Sequence, residues 1–150
     1  MDNFKELQVG QWIKVKGAPE NGVFSAHEIK IKSAGDVSVM EGKLQGVDSE
    51  KNSVTMMSRE IELPENVDVK NADREPVSLG DLKVGEIAKL KGAFNEADGF
   101  NAFKVKLQEP KGVDLEELQG FIDRMDEGEK TLSVLGLNVK ITDETEIEGF

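Results

Sequence analysis

His27 is the only histidine among 150 residues, and the chain has no cysteine and no tyrosine. Disulfides, thiolate catalysis and zinc sites built on cysteine are therefore excluded. A Ser-His-Asp arrangement would have to use His27, and a lone imidazole without a second histidine is a weak acid–base or metal signal. The internal repeat described below sets Phe103 at the place of His27, so His27 reads as a half-buried packing position. Two acidic clusters stand out: Asp123, Asp126, Glu127 and Glu129, and Asp143, Glu144, Glu146 and Glu148. Calcium takes six to eight oxygens from a closing loop, and the spaced Asp-x-Asp-x-Asp-Gly pattern is absent. The clusters read as solvated turns and strand faces, with at most a weak calcium site at a hairpin tip. Gly10, Gly17, Gly85 and Gly92 recur at strand starts and ends, where glycine marks bulges and corners, and they form no phosphate-cradling loop. The sequence assigns no catalytic residue, no cofactor-binding residue and no metal ligand, and it points away from an enzyme.

Binding chemistry has better candidates. Trp12, Phe24, Phe94, Phe100 and Phe103 cluster in corresponding strands of the repeat, and aromatic side chains serve small barrels as stacking platforms. Trp12, Phe24, Phe100 and Phe103 form the candidate ligand or partner face, against the simpler reading that they pack a core or an edge. Lysines two apart (Lys14 and Lys16, Lys30 and Lys32, Lys89 and Lys91, Lys104 and Lys106) fall on one face of a strand. They read as the solvated sides of half-buried strands. The chain carries 19 Lys+Arg against 30 Asp+Glu, a formal charge of −11, and only three arginines, Arg59, Arg74 and Arg124. Such a field repels phosphate and anionic membranes, so nucleic acid is disfavoured as a partner.

The elements that position these residues come from self-similarity. Leu7-Gln8-Val9-Gly10-Gln11-Trp12-Ile13-Lys14-Val15-Lys16-Gly17-Ala18 matches Leu82-Lys83-Val84-Gly85-Glu86-Ile87-Ala88-Lys89-Leu90-Lys91-Gly92-Ala93 at an offset of 75. A second block sets Leu44-Gln45-Gly46-Val47 against Leu118-Gln119-Gly120-Phe121 at an offset of 74. The chain reads as two alternating blocks, each present twice. Ile13, Val15 and Gly17 alternate with Lys14 and Lys16, which is strand periodicity. Asn21-Gly22 is a hairpin signal. Ser78 to Gly85 reads as one helical turn. Residues 114–125 carry apolar side chains at helical spacing (Leu115, Leu118, Ile122, Met125), but the repeat counterpart holds two glycines and favours a strand.

Strands near residues 38–47, 53–58, 60–69, 86–94 and 100–108, with a helical turn after the third, follow the order of an OB-fold. The expected class is all-β: two OB-fold-like five-stranded Greek-key barrels, one of them circularly permuted. Residues 36–112 would form a contiguous barrel, and residues 1–33 plus 114–150 a composite one closed by the two chain ends, with Ile13 and Val139 in one core. Closure within one chain, a swapped dimer, or excision from a longer tandem array all satisfy the arithmetic.

The segment Leu118-Gln119-Gly120-Phe121-Ile122-Asp123 followed by 131–145 resembles the first half of the bacterial domain of unknown function DUF5666. Residues 82–92, then Gly99 and Ala102, resemble its second half. The resemblance implies a small β-barrel, twice over in cyclic order, often in exported or envelope-associated bacterial proteins. It implies no catalytic residues and no cofactor. Met57-Ser58-Arg59 departs from the family pattern, lacking the glycine and the apolar pair of residues 135–137. The function expected is a non-enzymatic binding or structural module acting on a protein partner or on envelope material, with single-stranded nucleic acid or saccharide binding as the alternative. No stretch reaches the ~18 apolar residues of a membrane span. A periplasmic or extracellular setting follows from the resemblance, although the N-terminus lacks the features of a signal peptide.

Overall fold

The computed structural model describes residues 7–20, 23–33, 37–57, 59–95, 99–108 and 116–148. These residues form twelve strands: β1 (Trp12–Glu20), β2 (Val23–Lys32), β3 (Ser38–Asp48), β4 (Ser53–Met56), β5 (Arg59–Glu62), β6 (Asp68–Lys70), β7 (Ile87–Asn95), β8 (Gly99–Gln108), β9 (Glu116–Asp126), β10 (Thr131–Val134), β11 (Leu137–Lys140) and β12 (Glu146–Glu148). A 3-10 turn at Leu79–Asp81 is the one helical element among them. The fold is all-β. In β1, Ile13 and Val15 are fully buried while Lys14 and Lys16 keep contact with solvent. This alternation sends apolar side chains to one face of the strand.

The two ends of the chain build a closed five-stranded barrel. β1 pairs antiparallel with β2 and with β9, β9 with β10, and β10 with β11. A short parallel pairing of β11 with β2, Val139 opposite Phe24 and Lys140 opposite Ser25, completes the ring. Ile13 and Val139 lie in one core with Val15, Ile29, Leu118, Ile122 and Leu132. Burying a side chain of this size contributes roughly 1.5–3 kcal/mol. β12 adds alongside β2 in parallel.

The middle of the chain repeats this connectivity. β3 pairs with β7 and β4, β4 with β5, β7 with β8, and β6 runs parallel to β8. β5 lies against β8, yet among the described residues no ladder joins them. The two assemblies share a sheet, since β3 pairs antiparallel with β9 through Val39 and Gln119, Met40 and Leu118, and Glu41 and Glu117. Met40 and Leu118 are both buried in one continuous hydrophobic cluster.

The backbone repeats in detail. Asn52 and Lys130 both take φ of 54°, and Met57 and Leu135 take 53° and 55°. The Leu63 N–H donates to the Asn52 carbonyl as the Ile141 N–H donates to that of Lys130, and Val67 to Pro64 as Thr145 to Thr142. Each of these pairs is 78 positions apart. The offset of 75 over β1 and β7 holds: Gly10 and Gly85 have φ of 95° and 97°, and both strands shift register before Gly17 and Gly92.

Several expectations are corrected. The second block repeats at 78, not 74, so Gly42 corresponds to Gly120 and Leu44 to Ile122. His27 is not a half-buried packing residue: it is exposed, because the register shift opposite Gly17 makes it the extra residue of a bulge. The strand expected at 60–69 divides into β5 and β6. Met57 takes the same left-handed conformation as its counterpart Leu135, and Ser58, at the place of Gly136, lies outside the described residues. Residues 116–126 are a strand, as the repeat required. The Asn21-Gly22 hairpin turn lies outside the described residues.

Candidate functional site

The four candidate aromatics do not converge. Trp12 is only 5% exposed and packs edge-on against Phe121, with ring centroids 4.8 Å apart and an interplanar angle of 86°. Phe121, 47% exposed, sits directly across from it on β9. Phe24 is buried in the core of the end barrel. Phe100 is half-buried opposite Phe94 on β7. Phe103 is 43% exposed and occupies the β8 bulge that corresponds to His27.

Phe94 and Phe100 lead to the first concave feature. A cavity of about 480 Å³ is lined by Met40, Arg59–Glu62, Phe94, Phe100, Asn101 and Leu135–Leu137. It lies where β5 approaches β8 without a ladder, at the position closed in the end barrel by Val139 and Phe24. A neighbouring cleft of about 520 Å³ shares Phe94 and Gly136 with it and continues over β9, β10 and β11 through Arg124, Leu132 and Asn138. The Arg59 guanidinium donates to the Gly136 carbonyl across this junction.

The second concave feature is a tray of about 440 Å³ on the outer face of β6, β7 and β8. Lys70, Arg74, Lys89, Lys91, Lys104 and Lys106 line it, with Asp68 as its one carboxylate among the described residues. Lys89 stands directly opposite Lys106, and Lys91 opposite Lys104. Like charges at such positions repel, because facing Cβ atoms are only ~4.5–5.5 Å apart. Lysine spacing in sequence shows the four on β7 and β8. Lys70 and Arg74 are missed, because only the parallel pairing of β6 brings Lys70 beside Lys106.

Where the sheets join, charge is handled differently. Glu41 and Glu117 face each other and are both nearly buried. Lys14 lies 3.4 Å from Glu117, which also accepts from the Gln119 amide at 3.1 Å. Glu116 is the more stressed carboxyl. Its Oε2 is buried without a hydrogen-bond partner, and desolvation raises its pKa against the opposing pull of the Lys43 backbone N–H and ammonium. Gly42 leaves the room it occupies, since a Cβ there would fall 2.6 Å from that oxygen.

His27 stands exposed on the β2 bulge. Among the described residues no group of three His, Cys, Asp or Glu could hold a metal ion, and no helix is long and apolar enough to cross a membrane. The family model for a domain of unknown function, DUF5666, matches residues 1–30 and 119–150, the segments that supply β1 and most of β2, and β9 to β12. No curated protein and no solved structure matches the chain.

Proposed function

From a chain whose two ends match the model of DUF5666, a domain of unknown function, and build a closed barrel, we propose a non-catalytic recognition module that takes an extended segment of a protein partner at the seam between β5 and β8. The observation that carries this reading is the unpaired seam. The end barrel closes the same position with a parallel pairing. The middle assembly leaves it as a cavity flanked by Phe94, Phe100 and the Arg59–Glu62 strand. A strand edge without a neighbour is a template for another backbone, and adjacent apolar pockets give side-chain selectivity. The middle assembly is read here as a second OB-type barrel and a second copy of the family domain, supported by the shared backbone pattern. The periplasmic or extracellular setting implied by the family resemblance belongs to the same proposal.

The test is selection of displayed random linear peptides on the whole protein, followed by hydrogen exchange of the bound complex. The reading expects slowed exchange at residues 59–62, and a different set of enriched peptides for the doubly charge-reversed Glu60→Lys/Glu62→Lys chain. Peptides that protect other strands, or no enrichment, would reject it.

A further inference from the structure

We propose that the lysine tray on β6, β7 and β8 is a binding site for an oligophosphate group, either free or carried on a nucleotide. This site is separate from the seam, since no residue lining one lines the other, and it does not rest on the peptide-binding reading.

Charge is concentrated here against the trend of the chain. The protein carries −11 overall, yet among the described residues six cations and one carboxylate line this concavity. Lys70 has Asp68 at 3.8 Å. Among the described residues no ion pair engages Arg74, Lys89, Lys91, Lys104 or Lys106. Glu41 stands across the ladder from Lys89 on β3, nearly buried.

The same place on the end barrel is built differently. There Glu28 takes the position of Lys104, and Glu148 that of Lys70. Lys30 is bracketed by Glu28 at 3.3 Å and Glu148 at 4.0 Å, and Lys14 is paired with Glu117. One fold position is thus neutralised internally in the end barrel and left cationic in the middle assembly. Two like-charged cross-strand pairs weaken a sheet, and a bound anion would reverse that cost.

The lysine spacing sets the size of the ligand. Facing lysines lie ~5 Å apart across the ladder, and successive ones about 7 Å apart along each strand. This square, with Lys70 and Arg74 on its rim, suits a compact ligand bearing several charges a few ångströms apart. Phosphoryl oxygens accept several charge-assisted hydrogen bonds at once, and lysine meets them as a point charge.

Calorimetric titration of the whole protein with tripolyphosphate at low ionic strength tests the site. The wild type is expected to bind one equivalent. Lys89→Gln/Lys104→Gln is expected to weaken binding about tenfold or more, while Lys14→Gln/Lys30→Gln on the end barrel stays within about twofold. Without ligand, Lys89→Gln/Lys104→Gln is expected to melt higher than wild type, and to lose the stabilisation that tripolyphosphate gives. Adenosine triphosphate binding at the same lysines identifies a carried oligophosphate, and its failure beside tripolyphosphate binding identifies a free one. No binding to wild type, undiminished binding to the tray variant, or equally tight tray-dependent binding of a sulfated saccharide would overturn the proposal.

Discussion

The Thr145 hydroxyl donates to the Ala26 carbonyl at 2.7 Å, a buried hydrogen bond between residues 119 positions apart. The same oxygen accepts from the Thr142 N–H at 2.9 Å. One side chain thus fixes the turn before β12 and ties it to β2, fastening the last strands of the chain to the first. The middle assembly has Val67 at the corresponding place, where the backbone turn bond from Val67 to Pro64 is kept. Thr145→Val keeps the shape but strands the Ala26 carbonyl and the Thr142 N–H. We expect a loss of ~1–3 kcal/mol in urea unfolding, with faster amide exchange in β12 than in β6.

Gly17 and Gly92 occupy the two equivalent bulges, and a Cβ at either would meet the carbonyl oxygen of Ser25 or Asn101 at 2.0 Å. Backbone cannot rotate away as a side chain can. Gly17→Ala and Gly92→Ala should therefore each cost at least ~1–3 kcal/mol, read from thermal or urea unfolding. Gly80, with nothing within 4 Å of its Cβ position, is the control, and Gly80→Ala should be near neutral. Equal effects at 17 and 92 would show that the bulge contributes alike in both places.

The two glycines also show what the sequence makes legible. Gly17 and Gly92 sit in a dense run of identities, and that run fixes the offset of 75 and the barrel closed by the chain ends. The second block is misaligned by four positions because Leu-Gln-Gly occurs at both 44–46 and 118–120. A slip of an even number of residues keeps every side chain on its own face, so alternation cannot expose the error. The true counterparts, Gly42 and Gly120, are revealed only by the register with β7 and β1. The partner face is less legible still. Trp12 lies beside Phe121 and Lys70 beside Lys106 through pairings distant in sequence, and the seam beside β5 is defined by a ladder that strand propensity cannot deny.

Glu116 should make the protein less stable as pH rises. Desolvation lifts its pKa above the ordinary 4.5, so the folded state holds the proton more tightly than the unfolded chain. Stability then falls as pH climbs from 4.5 through the folded value, and stays reduced above it. Glu116→Gln removes the charge while keeping the shape. It should be more stable than wild type at neutral pH, and the gain should vanish below pH 4.5, where both chains are uncharged at this position. Denaturant midpoints measured across that range check the sign, and a gain that persisted in acid would reject the assignment.

Asp81 works in the opposite direction at the 3-10 turn. Its Oδ2 accepts from the Ser78 N–H at 3.0 Å and from the Ser78 hydroxyl at 2.9 Å. The backbone bond first, and the hydroxyl second, hold its carboxyl below the ordinary 3.8. The folded state therefore binds this proton less readily than the unfolded chain, and the carboxylate contributes stability above pH 3.8 that is lost as pH falls through the folded value. Asp81→Asn should be less stable than wild type at neutral pH, with the difference closing in acid. Ser78→Ala removes only the weaker of the two causes, so it should move the Asp81 titration, followed by carboxyl carbon NMR, part of the way back to 3.8. A full return would assign the depression to the hydroxyl instead of the backbone.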